Sequence, residues 1–180
     1  MPQAQHKATS PTREPLAVML CDHETYNRQE KYFNFDTKFD DFIKMKLPKY
    51  PLASSDKLLT FEFISEGQKG LIHKLVRYQP TNLKDIYNLA FGDKDHTTGD
   101  IDDTVISNNG DSEKVLTTVV ATLYAFTDKY PDVWIYATGS TKARTRLYRM
   151  GITKFLTEVT ADFEVLGERN DDWEPLKKKC

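Results

Sequence analysis

The residues best suited to chemistry follow the end of one apolar segment. A turn of small residues at 139–141 comes just after 133–137, which is apolar enough to be a buried strand. Four basic residues then follow within a short stretch: Lys142, Arg144, Arg146 and Arg149. If Ser140 or Thr141 caps a helix that begins here, the free N–H groups of its first turn carry about half a unit of positive charge. Because such a helix start stabilises phosphate or carboxylate groups, the pattern predicts an anion-binding site.

The predicted helix divides its residues between two sides. At about 100° per residue, three apolar residues share the face toward the core: Ala143, Leu147 and Met150. Three cations point to solvent: Lys142, Arg146 and Arg149. Arg144 falls at the margin of the core face, on the same side as Tyr148, and can reach back to the turn. Arg144 is therefore either a ligand of the anion or the partner of a structural carboxylate such as Asp111.

A second polar segment, 107–114, precedes another predicted helix. Its Asn-Asn-Gly-Asp sequence is typical of a turn followed by a helix cap. If the two helix starts face the same edge of a sheet, polar groups from both segments meet there. The predicted anion-binding pocket then contains nine residues: Gly139, Ser140, Thr141, Arg144, Arg146, Tyr148, Asn109, Asp111 and Lys114. The alternative is that the second segment is structural only.

Seven predicted elements position these residues. Alternating apolar residues at 57–65, 71–79 and 85–93 predict three antiparallel strands, the first two joined as a hairpin. Apolar residues at helical spacing predict a core-facing helix: Leu116, Val119, Val120, Leu123 and Phe126. A strand at 133–137, a helix to about residue 157 and a strand at 162–168 follow. The order β-β-β-α-β-α-β predicts an α/β fold, an α+β mixed sheet with helices on its faces, and it matches the ribonuclease H-like architecture.

Composition bounds the domain organisation and the partners. Hydrophobic residues make up 39% of the 180 residues and charged residues 29%, as in a soluble globular domain. We predict a flexible N-terminal tail at 1–27, a single α/β domain at 28–170 and a charged C-terminal tail at 171–180. The apolar run at 16–20 is too short for a membrane span, which favours a cytoplasmic protein with no membrane partner. With a formal net charge of −2, any binding of nucleic acid requires a local basic patch.

One enzyme class can be tested directly. A ribonuclease H-type nuclease requires carboxylates that hold two metal ions. Glu62 or Glu66, together with Glu113, fill two of the places, but positions 138–140 hold Thr, Gly and Ser where the third acid is needed. An acidic loop at 93–103 lacks the glycine and glutamate spacing of a calcium loop. The sequence therefore predicts no metal site and no cofactor, identifies no catalytic residue, and leaves open whether the protein is an enzyme.

Two segments carry a resemblance to a known family. SNNGDSEKVLTTV (107–119) and GSTKARTRLYRMGI (139–152) resemble a family of small bacterial proteins of unknown function. That family carries N-G-D…K-V-L-x-T-V followed by G-S-T-x-A-R-T-R-L-Y. The resemblance extends from about residue 58 to residue 165 and includes IYNLAFGD (86–93). It implies a single α/β domain and no catalytic assignment.

Two functions follow from these observations. The first is a domain that binds a phosphate-bearing ligand, such as a nucleotide, or a nucleic-acid backbone. The second is a protein-interaction module, such as one component of a toxin–antitoxin or defence pair. In that case three basic residues meet an acidic surface of the protein partner: Lys142, Arg146 and Arg149.

Overall fold

The computed structural model describes residues 18–22, 47–102, 105, 107–139, 141–169 and 172–176. The side chains of residues 18–22, 142–144, 147, 158 and 169 are outside that description. The strands are β1 (Val18–Asp22), β2 (Ala53–Ser54), β3 (Thr60–Gly67), β4 (Gly70–Pro80), β5 (Ile86–Lys94), β6 (Ile101–Asp102), β7 (Trp134–Ala137), β8 (Phe163–Arg169) and β9 (Asp172–Pro175). The helices are α1 (Ser112–Lys129), α2 (Lys142–Lys154) and α3 (Leu156–Asp162).

All nine strands belong to one mixed sheet. Its order is β2-β3-β4-β5-β7-β1-β8-β9, with β6 paired to β5. The predicted hairpin is present, since β3 and β4 pair from Thr60↔Arg77 to Gly67↔Gly70. Side chains on β3 point alternately to the two faces of the sheet, and Phe61 and Phe63 are buried on the face that the helices cover. The predicted mixed α/β class is confirmed, whereas the likeness to the ribonuclease H-like architecture stays a prediction.

The parallel pair β5–β7 creates a step in the sheet. Their register runs from Ile86↔Trp134 to Asn88↔Tyr136, and α1 lies in the connection between them. β7 ends at Ala137, while β5 continues to Lys94. The chain therefore leaves β7 beside the middle of β5, and α2 begins at that step.

Two predicted tails contribute strands. β1 lies within the range 1–27 and pairs antiparallel with both β7 and β8. β9 lies within 171–180 and pairs with β8 from Leu166↔Pro175 to Arg169↔Asp172. The predicted boundaries at 28 and 170 therefore differ from those of the sheet. The cause is long-range pairing, which a short strand signals only weakly in its own sequence.

Buried threonines lie on the side of α1 that faces the sheet. Thr118 and Thr122 are both 0% exposed. Thr118 Oγ1 donates to the Lys114 carbonyl at 2.7 Å and accepts from the Tyr50 N–H at 2.9 Å. Thr122 Oγ1 lies 3.0 Å from the Tyr78 hydroxyl. Because each hydroxyl has its partners, these polar groups are buried at little cost.

The five predicted core residues of α1 do not share one environment. Leu123 and Phe126 are buried as predicted. Leu116, Val119 and Val120 are only partly buried and pack against the edge of the core cluster. The apolar face predicted for α1 therefore differs in rotation from the side of the helix that contacts the sheet.

The core face of α2 differs from the prediction. Met150 is 57% exposed, so its predicted place on the core face is wrong. Gly151 is buried instead, as is Phe155, the residue between α2 and α3, and Tyr148 is half-buried. A Cβ atom on Gly151 would lie 2.6 Å from Leu116 Cδ1, so the glycine allows α2 to approach α1 closely. Among the described residues, no helix has the length and apolar character to cross a membrane.

Candidate functional site

The predicted strand-to-helix junction is an exposed turn. Thr138 and Thr141 are exposed, and Gly139 is half-buried. Thr145 Oγ1 accepts from the Gly139 N–H at 3.1 Å and also lies 3.1 Å from the Thr141 carbonyl oxygen. The Thr145 N–H donates to the same Thr141 carbonyl at 3.0 Å. This is the first i→i−4 bond of the helix, so the N–H groups of residues 142–144 have no carbonyl partner within α2.

Ser140 lies outside the described residues, as do the side chains of Lys142 and Arg144. The backbone of α2 still sets their positions along the helix. Residue 144 precedes Tyr148 by four residues, which places it on the same side of α2. Whether Arg144 meets an anion or a carboxylate stays a prediction.

The charge of α2 is strongly one-sided. The helix contains five Lys or Arg residues and no Asp or Glu, and its first turn has no acid. Arg146 is exposed and Arg149 is half-buried, so the two predicted solvent-facing arginines are not equivalent. At the far end, Lys154 Nζ pairs with Glu113 Oε2 at 2.6 Å.

Tyr148 has a structural contact. Its hydroxyl donates to the Phe91 carbonyl at 2.9 Å, and the two ring centroids are 6.3 Å apart. Phe91 belongs to the part of β5 that extends beyond β7. Tyr148 therefore anchors α2 to this strand at the step in the sheet.

Asn109, in the segment before α1, forms hydrogen bonds with the β3–β4 hairpin. It is 2% exposed. Its Nδ2 donates to Ser65 Oγ at 2.9 Å and to the Gly70 carbonyl at 3.1 Å. Its Oδ1 accepts from the Lys69 N–H at 2.8 Å. All polar atoms of this side chain are thus engaged with the hairpin.

Asp111 occupies the predicted N-cap position of α1, but its carboxylate makes no capping bond there. Oδ2 accepts from the Tyr50 hydroxyl at 2.7 Å and from Ser65 Oγ at 2.6 Å. Burial raises the pKa of Tyr50, and the hydrogen bond to Asp111 raises it further. Lys114 Nζ lies 3.8 Å from the centre of the Tyr50 ring, within cation–π distance. The two residues hold the Tyr50 segment against α1 and β3.

The two predicted halves of the pocket lie at opposite ends of α2. The junction stands at the helix start, whereas Lys154, in its last turn, pairs with Glu113 in the first turn of α1. Thirteen residues at 1.5 Å each give a separation of about 20 Å along the helix. The structure therefore groups Asn109, Asp111 and Lys114 with the hairpin and with Tyr50, away from the junction.

One buried polar cluster was not predicted from the sequence. Lys74 Nζ forms an ion pair with Asp93 Oδ1, and their side chains are 6% and 15% exposed. Ser107 Oγ donates to the same carboxylate oxygen at 2.9 Å and contacts Lys74 Nζ. The lysine at an inward-facing strand position, opposite Phe63, was the available indication. In the part of the chain that the structure describes, no group of three His, Cys, Asp or Glu side chains is suited to hold a metal ion.

Comparison with known proteins adds one family match. Residues 46–180 match a family model described as a family of unknown function, DUF6934. The match covers the three helices and every strand except β1. Comparison with curated proteins and with solved structures gave no match. The predicted resemblance to a family of unknown function is confirmed at this level.

Proposed function

The chain belongs to the DUF6934 family, whose function is unknown, and we propose from its own residues that the junction between β7 and α2 binds an anion. The charge of α2 carries this proposal. Five cations and no acid lie on thirteen residues of a chain whose formal net charge is −2. Cations at a helix start oppose the positive end of the helix dipole. An anion at the junction relieves that opposition, so this arrangement favours a ligand of negative charge.

The geometry of the turn supports the same ligand class. The backbone N–H groups of residues 142–144 precede the first i→i−4 bond of α2, so no carbonyl of that helix accepts them. Gly139 presents no side chain, and the exposed Thr141 lies beside these N–H groups. Arg146 is exposed and makes no ion pair among the described residues. In the proposed site, the backbone and Thr141, with Ser140, donate hydrogen bonds, and Arg144 and Arg146 supply charge.

The proposed site contains fewer residues than the pocket predicted from the sequence. It keeps Gly139, Ser140, Thr141, Arg144 and Arg146. Tyr148 supports it through the bond to Phe91. The group around Asn109 is assigned to the hairpin because its described contacts are there. The ligand class is a phosphate group, free or part of a nucleotide or a nucleic-acid backbone, or a carboxylate.

The experiment compares two charge-removing variants. Thermal unfolding is followed with increasing inorganic phosphate and with ATP for the wild type, Arg146→Ala and Lys84→Ala. Lys84 is the control, because its side chain is 93% exposed and pairs with Asp85 at 3.7 Å, before β5 begins. We expect Arg146→Ala to weaken the apparent affinity about tenfold, which corresponds to about 1.4 kcal/mol. Lys84→Ala should follow the wild type. Equal losses in both variants would show a nonspecific charge effect and overturn the site.

A protein-interaction module is the second candidate, and one observation favours it. Leu71 is 68% exposed and Ile64 is 38% exposed, both on the sheet face opposite the helices. Exposed apolar residues at neighbouring positions are typical of surfaces that meet a partner. A co-expressed product of a neighbouring gene that binds wild type but not Leu71→Ser would favour this candidate. Equal binding by Leu71→Ser would remove the observation on which it depends.

A further inference from the structure

An apolar cleft lies between the sheet, α1 and the two following helices. Its volume is about 70 Å³. The walls include Phe91 of β5, Leu116 and Val120 of α1, and Ile152 of α2. These four side chains are half-buried, so the cleft is accessible from solvent. Tyr148 also lines it, but its hydroxyl is already bonded to the Phe91 carbonyl. Among the described residues, the lining is therefore apolar.

The cleft and the proposed anion site are adjacent along the chain. Ala137, the last residue of β7, lines the cleft, and the exposed Thr138 and the junction turn follow directly. One helix serves both features, since α2 contributes Gly151 and Ile152 to the cleft wall and all five of its charges are positive. An apolar space beside a helix that contains cations and no acid complements a molecule with an apolar body and an anionic head.

We propose that the cleft and the junction together bind one amphiphilic anion. Its apolar part is a single ring or a short aliphatic chain in the cleft, and its phosphate or carboxylate head lies at the start of α2. The inference rests on the proposed anion site and adds the class of molecule that carries the anion.

The size and polarity of the cleft set the limits of the apolar part. The volume of about 70 Å³ is roughly half of the ~150 Å³ that holds a benzene molecule in an enclosed apolar cavity. The cleft therefore accepts part of a ring or a few methylene groups, and the rest of the ligand lies at the mouth. Water is a poor occupant because it needs two or more polar partners.

The test compares inorganic phosphate with phenyl phosphate, which carry the same type of head. Binding of each to the full chain is measured by calorimetry. We expect phenyl phosphate to bind at least about tenfold more tightly, because its ring leaves water for the cleft. Val120→Phe places a ring in the cleft and should bring the ratio of the two affinities close to one. Met150→Phe adds the same ring at a position that is 57% exposed, and it should keep the wild-type ratio.

The failures are distinguishable. If neither compound binds to the wild type, the anion site fails and the inference fails with it. If both bind with equal affinity, the anion site stands and the cleft does not contribute, which overturns the inference alone. If Val120→Phe does not fold, NMR of the wild type with bound phenyl phosphate tests the position of the ring independently. Nuclear Overhauser effects between the phenyl protons and the methyl groups of Leu116 and Val120 are expected in the wild type, and their absence with bound ligand would place the ring elsewhere.

Discussion

Gly67 and Asn109 are packed backbone against backbone. A Cβ atom on Gly67 would lie 1.9 Å from the Asn109 carbonyl oxygen. The same carbonyl accepts the Gln68 N–H at 3.0 Å. The segment that leads into α1 therefore packs directly against the end of the β3–β4 hairpin. Because the contact is with a backbone atom, no side-chain rotation could make room for a methyl group on Gly67.

Gly67→Ala should lower the free energy of unfolding by about 3 kcal/mol, because relief of the overlap requires a backbone shift. Gly99→Ala is the control. Gly99 has φ +72 and open space around its Cβ position, so only the left-handed backbone strain of about 1 kcal/mol applies. Urea unfolding of both variants measures the difference. Equal losses would mean that the hairpin and Asn109 are not in close contact.

Asn109→Ala should destabilise the fold without weakening phosphate binding. The variant leaves Ser65 Oγ, the Gly70 carbonyl and the Lys69 N–H without their described partner, which we expect to cost about 2–3 kcal/mol. Phosphate titrations of folded variant and wild type should give the same midpoint. A weaker midpoint in Asn109→Ala would restore this residue to the anion site.

Lys74→Met should be more harmful than the loss of both charges. The single change leaves Asp93 buried without its cation, which typically costs about 3–5 kcal/mol. In Lys74→Met/Asp93→Asn, no charge is left unpaired, and Ser107 keeps an acceptor at position 93. The double variant should therefore unfold at higher urea concentration than the single variant. The reverse order would show that Asp93 has another source of stabilisation.

Tyr78 should make stability fall at alkaline pH. Burial raises the pKa of its hydroxyl far above the ordinary value of 10.0. The folded state therefore retains a proton that the unfolded state releases, and the free energy of unfolding decreases as the pH rises above about 10. Tyr78→Phe loses one hydrogen bond to Thr122, about 1 kcal/mol at neutral pH. Its stability should decline less steeply between pH 10 and 11, and parallel curves would contradict the assignment.

The burial at the C-terminal end of α2 can be tested by two alanine substitutions, one within the helix and one at the residue that follows it. Phe155 is 7% exposed and Met150 is 57% exposed. Phe155→Ala should cost about 3–5 kcal/mol through a cavity, whereas Met150→Ala should change stability by less than about 0.5 kcal/mol. Thermal or urea unfolding decides between them. A large loss in Met150→Ala would restore the face predicted from sequence.

Local patterns in the sequence determined the class of the fold and the position of the junction. Alternation in β3 and β4 depends only on which side of a strand is buried, and it predicted the hairpin. The small residues after the apolar segment 133–137 likewise predicted where β7 gives way to α2, together with its excess of cations. These properties are set within a few neighbouring residues, so one sequence is enough to find them.

Only the tertiary structure decided which distant groups meet. β1 joins the sheet because β7 and β8 offer edges on both sides, a pairing that its own five residues do not encode. Thr122 can be fully buried because a hydroxyl from Tyr78 reaches it. Asp111 turns to Tyr50, 61 positions away in the chain, instead of capping its own helix. Hydrogen-bond partners and the rotation of a helix about its axis depend on contacts between remote segments. The periodicity within one segment does not determine those contacts.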